Sequence, residues 1–284
     1  MMLMKDLVQA IEFLPAFNQN ALKAMELIRS DNYTNKRLSD IIKLDASLSA
    51  NILKISNSAL YAKPKQIYDV STAISLLGKQ QIYSLLTLIS TQSYFADLLD
   101  GYEVYKGELW EHNLAVAVIA ENLAYLEKNV DKSILFTAGL LHDIGKIILS
   151  IWVKKEANRI DELVDKENFD FIDAEKTVLG FTHSDIGAAI LKHWNFPEQI
   201  INSAKYHHDD KLFNDPIVRL VTLADFLSFT IGFLAQKDNM YMKSYDQVLK
   251  YYNIKTKDVE KMIADNIDKV LNIINEFKLI DRGQ

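Results

Sequence analysis

Residues 135–153 read LFTAGLLHDIGKIILSIWV, and this apolar stretch decides the class of fold. Its length approaches that of a segment that crosses a membrane. However, His142, Asp143 and Lys146 interrupt it, and side chains of this kind are costly in hydrocarbon. The N-terminus carries charge at once and has no apolar run of signal-peptide length. The stretch therefore predicts a helix in the core of a cytoplasmic protein, with no membrane segment.

The overall composition favours helices in the rest of the chain as well. Hydrophobic residues make up 49% of the sequence and charged residues 25%, which is the balance of a globular protein with a core. The 9 Gly and 4 Pro are too few for a sandwich or barrel with many tight turns. Cysteine is absent, which excludes disulfides, thiolate metal sites and cysteine nucleophiles. We therefore expect an all-α protein of 284 residues, in one large domain or two modest ones.

Helical periodicity and turn residues divide the chain into segments. In the first half, Asp45 and Asp69 are expected to cap helices, and Gly78 to end one. Apolar residues recur at helical spacing over residues 259–277, and we expect this stripe to pack on the same protein, with dimerisation through it as the less favoured alternative. In the second half, the helices predicted to carry histidine or aspartate cover residues 106–126, 134–149, 182–194, a segment from Pro197 to His208, and 218–231. Asp131 is expected to cap the helix over residues 134–149.

The order of helix, Gly78 and helix is also found in DNA-binding helix-turn-helix motifs. The segment that would read DNA, residues 79–84, carries a single cation, Lys79. The net charge of the chain is −6, and no part of it has the concentrated basic surface of a nucleic-acid-binding protein. Core packing is therefore the favoured interpretation, and we expect no DNA binding.

His142 and Asp143 stand in a segment that is otherwise apolar except for Lys146. A carboxylate buried without a partner costs several kcal/mol or shifts its pKa, and a metal ion removes that cost. Adjacent residues of a helix diverge by about 100°, yet both can turn toward one ion near a helix end. Taken alone, this dipeptide fits a hydrogen-bonded core histidine equally well.

Further histidines and carboxylates favour a metal site. The chain has 6 His, and Glu108 lies four residues before His112, on the same helical face. Asp225 interrupts an apolar helix. Several such residues suit Fe, Mn, Zn or Mg. In the alternative interpretation hydrogen bonds within a helical core satisfy each histidine, and for His193 we expect such a packing role.

These residues resemble the metal ligands of the HD superfamily of metal-dependent phosphohydrolases. His112, His142-Asp143 and Asp225 match its H…HD…D pattern, and His183 with His207-His208 matches the extended set of its HD-GYP branch. Other motifs look like those of the HDOD family, in the expected order over residues 7–230: LP at 14–15, IIKLDASL at 41–48, NSA at 57–59, AISLLG at 73–78, GFTH at 180–183 and WNFP at 194–197.

The resemblance implies an all-α bacterial signalling protein. Its N-terminal helical subdomain, residues 1–100, would pack on an HD-type helical bundle, residues 101–235, followed by a helical extension, residues 236–284. A divalent metal centre, of two ions bridged by Asp143, would lie in the bundle. The implied metal ligands are Glu108, His112, His142, Asp143, His183, His207, His208 and Asp225.

Two functions follow from the resemblance. The favoured one is a regulatory protein of the HDOD type that keeps an HD-like metal site and acts on a signalling protein partner. The alternative is an active phosphohydrolase for a nucleotide or another phosphorylated small molecule, with Asp143 and Lys146 as catalytic residues, because Lys146 matches a lysine that faces substrate phosphate. No Gly-Tyr-Pro motif is present, and Asp209 follows the histidine pair where Glu is expected, so cyclic-dinucleotide specificity does not carry over. Whether the chain forms a homodimer stays open.

Overall fold

A computed structural model describes residues 11–12, 14–58, 61, 66–95, 102, 105, 107–167, 169–209, 213–234 and 243–282. Within these ranges every regular element is a helix and no strand occurs, which confirms the all-α class. The chain divides into two compact units, the smaller being Ala16–Ser93 with Asp268–Gln284 and the larger Met1–Pro15 with Tyr94–Ile267. The predicted domain boundaries after residues 100 and 235 fall outside the described residues and stay a prediction.

The smaller unit is built from short capped helices. Asp45 and Asp69 accept hydrogen bonds at 2.9 Å from the Leu48 amide and at 3.0 Å from the Thr72 amide, which confirms both predicted caps. Gly78 ends a helix with a backbone φ of +81°, a conformation that residues with a Cβ atom rarely adopt. Ala59 of the NSA motif lies outside the described residues. The helices are α1 (Gln19–Arg29), α2 (Asn35–Ile42), α3 (Ala46–Ser56), α4 (Val70–Leu77) and α5 (Lys79–Thr91).

The larger unit holds the helices that carry histidine and aspartate. They are α6 (Glu108–Asn122), α7 (Lys132–Leu141), α8 (Gly145–Glu167), α9 (Phe171–Leu179), α10 (His183–His193), α11 (Glu198–Tyr206), α12 (Pro216–Ile231) and α13 (Lys243–Tyr251). A last helix, α14 (Thr256–Arg282), contributes residues to both units. Its residues Val270, Ile274 and Phe277 are buried, which confirms that the apolar stripe packs on this protein.

The apolar stretch over residues 135–153 belongs to two helices and not to one. Asp131 caps α7 by accepting a hydrogen bond at 2.8 Å from the Ser133 amide, as predicted. The predicted continuous helix over residues 134–149 is wrong, because α7 ends at Leu141 and a turn over residues 142–144 precedes α8. By length and composition Lys132–Ser150 could cross a membrane, but 94% of that window is buried inside the protein, as in the core helix of a soluble protein.

Gly145 allows the start of α8 to lie directly against α10. A Cβ at this position would come within 1.9 Å of the His183 carbonyl oxygen and within 2.6 Å of the Gly187 amide nitrogen. Both neighbours are backbone atoms, so they cannot move aside as a flexible side chain could. The glycine therefore brings the His142–Asp143 turn close to the first residue of α10.

Replacing Gly145 with alanine is expected to lower the free energy of unfolding by about 3 kcal/mol or more, because α8 and α10 must separate. Chemical denaturation followed by circular dichroism measures the change. Gly187→Ala is the matched control: its Cβ would meet the nearest atoms at 3.3 Å and 3.4 Å, and a much smaller loss is expected. Equal losses in both variants would contradict the close approach at Gly145.

Candidate metal centre

Five parts of the larger unit bring the predicted ligands to one buried place. α6 contributes His112, and the α7–α8 turn contributes His142 and Asp143. The start of α10, the turn directly after α11 and α12 contribute the rest. Six of these residues are exposed to between 0% and 4%, namely His112, His142, Asp143, His183, His207 and Asp225. His208 is half-buried beside them.

These side chains form two groups. In the first, Asp143, His183, His207 and His208 each offer a ligand atom within 4.8 Å of the others. The Nε2 atom of His183 lies 3.3 Å from Asp143 Oδ1, and the Nε2 atom of His207 lies 3.6 Å from the same oxygen. One carboxylate oxygen and three imidazole rings thus face a common volume.

The second group consists of His112, His142 and Asp225, whose ligand atoms also lie within 4.8 Å of one another. The Nε2 atom of His112 is 3.2 Å from Asp225 Oδ1 and 3.4 Å from His142 Nε2. Two nitrogen atoms and one oxygen therefore point to one volume here as well.

Asp143 lies between the two groups. Its Oδ1 faces His183 and His207, whereas its Oδ2 lies 3.5 Å from His142 Nε2 and 3.7 Å from His112 Nε2. This carboxylate therefore offers one oxygen atom to each group.

Hydrogen bonds at Nδ1 decide which nitrogen of each ring faces the cluster. The Nδ1 atoms of His142, His207 and His112 lie 2.7 Å, 2.9 Å and 2.9 Å from the carbonyl oxygens of Gly139, Ala204 and Phe233. A carbonyl oxygen only accepts, so each Nδ1 carries a proton and donates. In the neutral ring Nε2 then presents its lone pair to the interior, which is the arrangement that metal-binding histidines show.

Glu175 holds the fourth ring in the same way, and sequence reasoning missed it. Its carboxylate is fully buried, accepts from the His183 backbone amide at 2.9 Å, and lies 2.9 Å from His183 Nδ1. The Tyr102 hydroxyl donates to the other oxygen at 2.6 Å. In the sequence the signal was a glutamate inside α9, on the face that also carries the buried Phe171 and Ala174.

Glu175→Gln keeps the shape of this side chain and removes the charge that fixes the His183 tautomer. We expect metal affinity to fall by about 10- to 100-fold, which is typical when the partner of a ligating histidine is lost. Competition with a chelating dye measures the affinity. Glu198→Gln, an exposed carboxylate in the first turn of α11, is the matched control and should bind as the wild type does. Unchanged affinity in a folded Glu175→Gln protein would contradict this role.

Tyr245 of α13 holds Asp225 and was also missed. Its hydroxyl donates to Asp225 Oδ2 at 2.9 Å, which leaves Oδ1 toward His112. The Tyr245 side chain is buried and its ring packs on Phe226. A helix of the C-terminal segment thus contacts the candidate site directly.

The charges of the cluster favour a cation. Burial lowers the pKa of His142 to about 4, so its ring is neutral near pH 7. Burial alone would raise the pKa of Asp143, but the neighbouring ammonium group of Lys146 holds it well below its usual range. Among the described residues, two buried carboxylates, Asp143 and Asp225, therefore share this interior with one ammonium group, that of Lys146.

Several buried polar atoms at the cluster lack a hydrogen-bond partner among the described residues. They are Asp143 Oδ1, His183 Nε2, His207 Nε2 and His208 Nδ1. Buried polar atoms in proteins are normally satisfied, and a set of nitrogen and oxygen lone pairs directed at one volume has the chemistry of a metal ligand set. The residues present therefore fit a divalent metal.

Three other predicted residues lie elsewhere or make different contacts. Glu108 is exposed, and its carboxylate accepts a hydrogen bond at 2.9 Å from the Tyr105 amide, so the structure does not bring it to the cluster. It lies on the face of His112, but one helical turn toward the start of α6. Lys146 is buried with its Nζ 2.8 Å from Asp143 Oδ2. His193 lies outside the cluster, but its predicted packing role is wrong because its side chain is exposed.

Comparisons with known proteins agree with this fold. The sequence profile of the HDOD domain matches residues 14–210. A solved HDOD domain protein of unknown function from Geobacter sulfurreducens superposes with a TM-score of 0.68 at 23% identity, covering 94% of this chain and 95% of its own. A candidate signal-transduction protein from Marinobacter aquaeolei gives 0.73 at 20%, covering 95% and 64%. A candidate metal-dependent phosphohydrolase from Shewanella amazonensis gives 0.62 at 20%, covering 93% and 95%.

The first curated relative is a longer protein. It comes from Treponema pallidum and is 24% identical over 251 residues, which cover 86% of this chain and 48% of the relative. The chain therefore spans about half the length of that relative.

Proposed function

Because the chain belongs to the HDOD domain family, we propose that it is a regulatory protein of bacterial signal transduction that holds divalent metal in a buried site. The location we propose is the cytoplasm, and the partner a signalling protein. The resemblance in fold to the Marinobacter protein supports this proposal.

The observation that carries the proposal is the burial of Asp143 and of its ion pair with Lys146. Catalytic metal sites keep a position open for water or substrate, whereas structural sites are closed by protein ligands. Here Asp143 and Lys146 are exposed to 1% and 2%, and the lysine ammonium forms an ion pair with Asp143 Oδ2. A buried carboxylate paired in this way suits a site that holds metal for structural or regulatory purposes.

In the proposed site Asp143, His183, His207 and His208 would hold one ion, and His112, His142 and Asp225 would hold a second with the help of Asp143. Bound divalent ions would supply positive charge that binds and polarises a phosphate oxygen or a water. The protein's own part is to fix the four Nε2 atoms and to exclude solvent around Asp143. Fe, Mn, Zn and Mg are the proposed metals.

The hydrogen bond from Tyr245 to Asp225 offers a route from the site to the rest of the protein. A metal ion bound at Asp225 would change the carboxylate that accepts the hydrogen bond from the buried Tyr245 hydroxyl, and Tyr245 belongs to α13. The occupancy of the second group is thereby linked to the docking of α13 in the larger unit.

Hydrogen exchange with and without bound Mn tests the regulatory proposal. We expect metal to slow exchange in residues 243–251 of α13, with no change in α2 of the smaller unit as the internal control. Tyr245→Phe should keep the metal and lose the added protection. The same added protection in Tyr245→Phe, or none in the wild type, would contradict the link.

The alternative function is metal-dependent hydrolysis of a phosphoester. It is favoured by a cavity that reaches His208 and by the name of the Shewanella protein of similar fold. In this alternative Lys146 would leave Asp143 and bind phosphate. Hydrolysis of bis(p-nitrophenyl) phosphate by Mn- or Fe-loaded protein, lost in Asp143→Ala, would favour the enzyme. Full metal occupancy without turnover of this or a monoester substrate would favour the regulator.

A further inference from the structure

A cluster of charged and aromatic residues lies at the end of α13 that is remote from Tyr245. Arg219, in the first turn of α12, is buried there. Its Nε donates to Glu127 Oε1 at 3.1 Å, and its Nη1 donates to the carbonyl oxygen of Phe213 at 2.7 Å. The Tyr252 hydroxyl donates to the same Glu127 oxygen at 2.6 Å. We call Glu127, Arg219 and Tyr252 the clasp.

The clasp joins three separate parts of the larger unit. Glu127 follows α6 and the short turn after it, Arg219 belongs to α12, and Tyr252 directly follows α13. The guanidinium carbon of Arg219 also lies 4.3 Å from the ring centroid of Tyr251, the last residue of α13. A buried ion pair adds little net stability, but loss of one partner is costly. These contacts therefore favour one position of the end of α13 over others.

α12 and α13 run antiparallel, so the clasp and the candidate metal centre lie at opposite ends of α13. Arg219 near the start of α12 contacts the Tyr252 hydroxyl, whereas Asp225, further along α12, accepts a hydrogen bond at 2.9 Å from Tyr245. Tyr245 and Tyr252 are seven residues apart, which corresponds to about two helical turns or about 10 Å. A tyrosine hydroxyl therefore holds α13 at each end.

α13 is too short to keep its position without such contacts. It has 9 residues, and helices shorter than about 12 residues are marginal in water on their own. Ser244, Tyr245 and Val248 are its buried residues among the side chains that the structure describes. The docking of α13 therefore depends on the hydrogen bonds at its two ends, and a change at one end affects the other.

We propose that the clasp positions Tyr245 and thereby sets the affinity of the second ligand group for metal. The inference rests on the proposed function, because it concerns the ion that this group would hold. With the clasp closed, the Tyr245 hydroxyl occupies Asp225 Oδ2 and keeps Oδ1 directed toward His112. With the clasp open, the carboxylate loses this support. The clasp residues act through α13, since none of them belongs to either ligand group.

Titration of Mn into the full chain, with a chelating dye as competitor, tests the proposal on Tyr252→Phe, which loses one hydroxyl and keeps the ring. We expect about fivefold weaker binding of the ion that Asp225→Ala loses, and unchanged binding of the other ion. Tyr105→Phe, at an exposed tyrosine of the larger unit, is the matched control and should bind both ions as the wild type does. Unchanged affinities in Tyr252→Phe, or equal weakening of both ions, would overturn the proposal.

A double-mutant cycle shows whether the clasp acts through Tyr245. Tyr252→Phe should weaken the second ion in the wild type and have no further effect in Tyr245→Phe. A merely structural role would give the same loss in both backgrounds, and that result overturns the proposal. Wild-type protein that takes up no Mn refutes the proposed function and this inference together. Wild-type protein that takes up two ions, with no effect of Tyr252→Phe, refutes the clasp alone.

Discussion

Asp143→Ala is expected to remove both bound metal ions, whereas Asp225→Ala is expected to remove one. Asp143 presents Oδ1 to His183 and His207 and Oδ2 to His142 and His112, so both ligand groups lose an oxygen when it is replaced. Asp225 belongs to one group only. Metal content by mass spectrometry on untagged protein, after incubation with each candidate ion, gives the number of equivalents.

Asp40→Ala is the matched control for the loss of an aspartate. Asp40 lies on the surface of the smaller unit, where it pairs with Lys36, and its replacement should leave the metal content unchanged. Circular dichroism must show that each variant keeps its helices. Retention of one full equivalent in folded Asp143→Ala would contradict the bridging role, and a wild type without metal would contradict the metal centre itself.

Removal of the metal with a chelator is expected to lower the melting temperature by about 10 °C. A ligand present at a thousandfold excess over its Kd stabilises the native state by about 4 kcal/mol, and about 1 kcal/mol corresponds to roughly 2–4 °C in a protein of this size. In addition, loss of the ions leaves Asp143 and Asp225 close together in the interior. Differential scanning calorimetry of metal-loaded and chelated protein measures the shift.

The double variant His142→Ala/Asp143→Ala separates metal loss from a direct effect of the chelator. It should melt at the same temperature with and without chelator, because it holds no metal in either condition. An equal shift in the wild type and the double variant, or no shift in the wild type, would show that metal does not stabilise the native state.

Much of the candidate site could be predicted because its residues are chemically out of place in the sequence. His142, Asp143 and Asp225 each interrupt an apolar stretch of sequence, and burial without a partner would be costly there. The structure brings them together with His112, His183, His207 and His208. The fold class could be predicted from composition and periodicity, since the low number of glycines and the helical spacing of apolar residues favour helices over strands.

The rest required three-dimensional information. Glu175 and Tyr245 look like ordinary polar residues of amphipathic helices, and only the packing of α9 and α13 shows that they contact His183 and Asp225. The break after Leu141 was missed because Gly145 lies in an apolar run, and its role depends on the approach of α10. Spacing along a helix placed Glu108 on the same face as His112, but it did not show that Glu108 is exposed at the start of α6, away from the buried cluster.

The ligands of the candidate centre are far apart along the chain, and this affects the order of events in folding. His112 and Asp225 come from α6 and α12, so the second group is not complete until helices distant in sequence have docked. Ions then bind late, after the rate-limiting step, and should slow unfolding without speeding folding. In a cell, newly made protein would thus reach its helical fold first, and the supply of metal would decide how long each molecule survives.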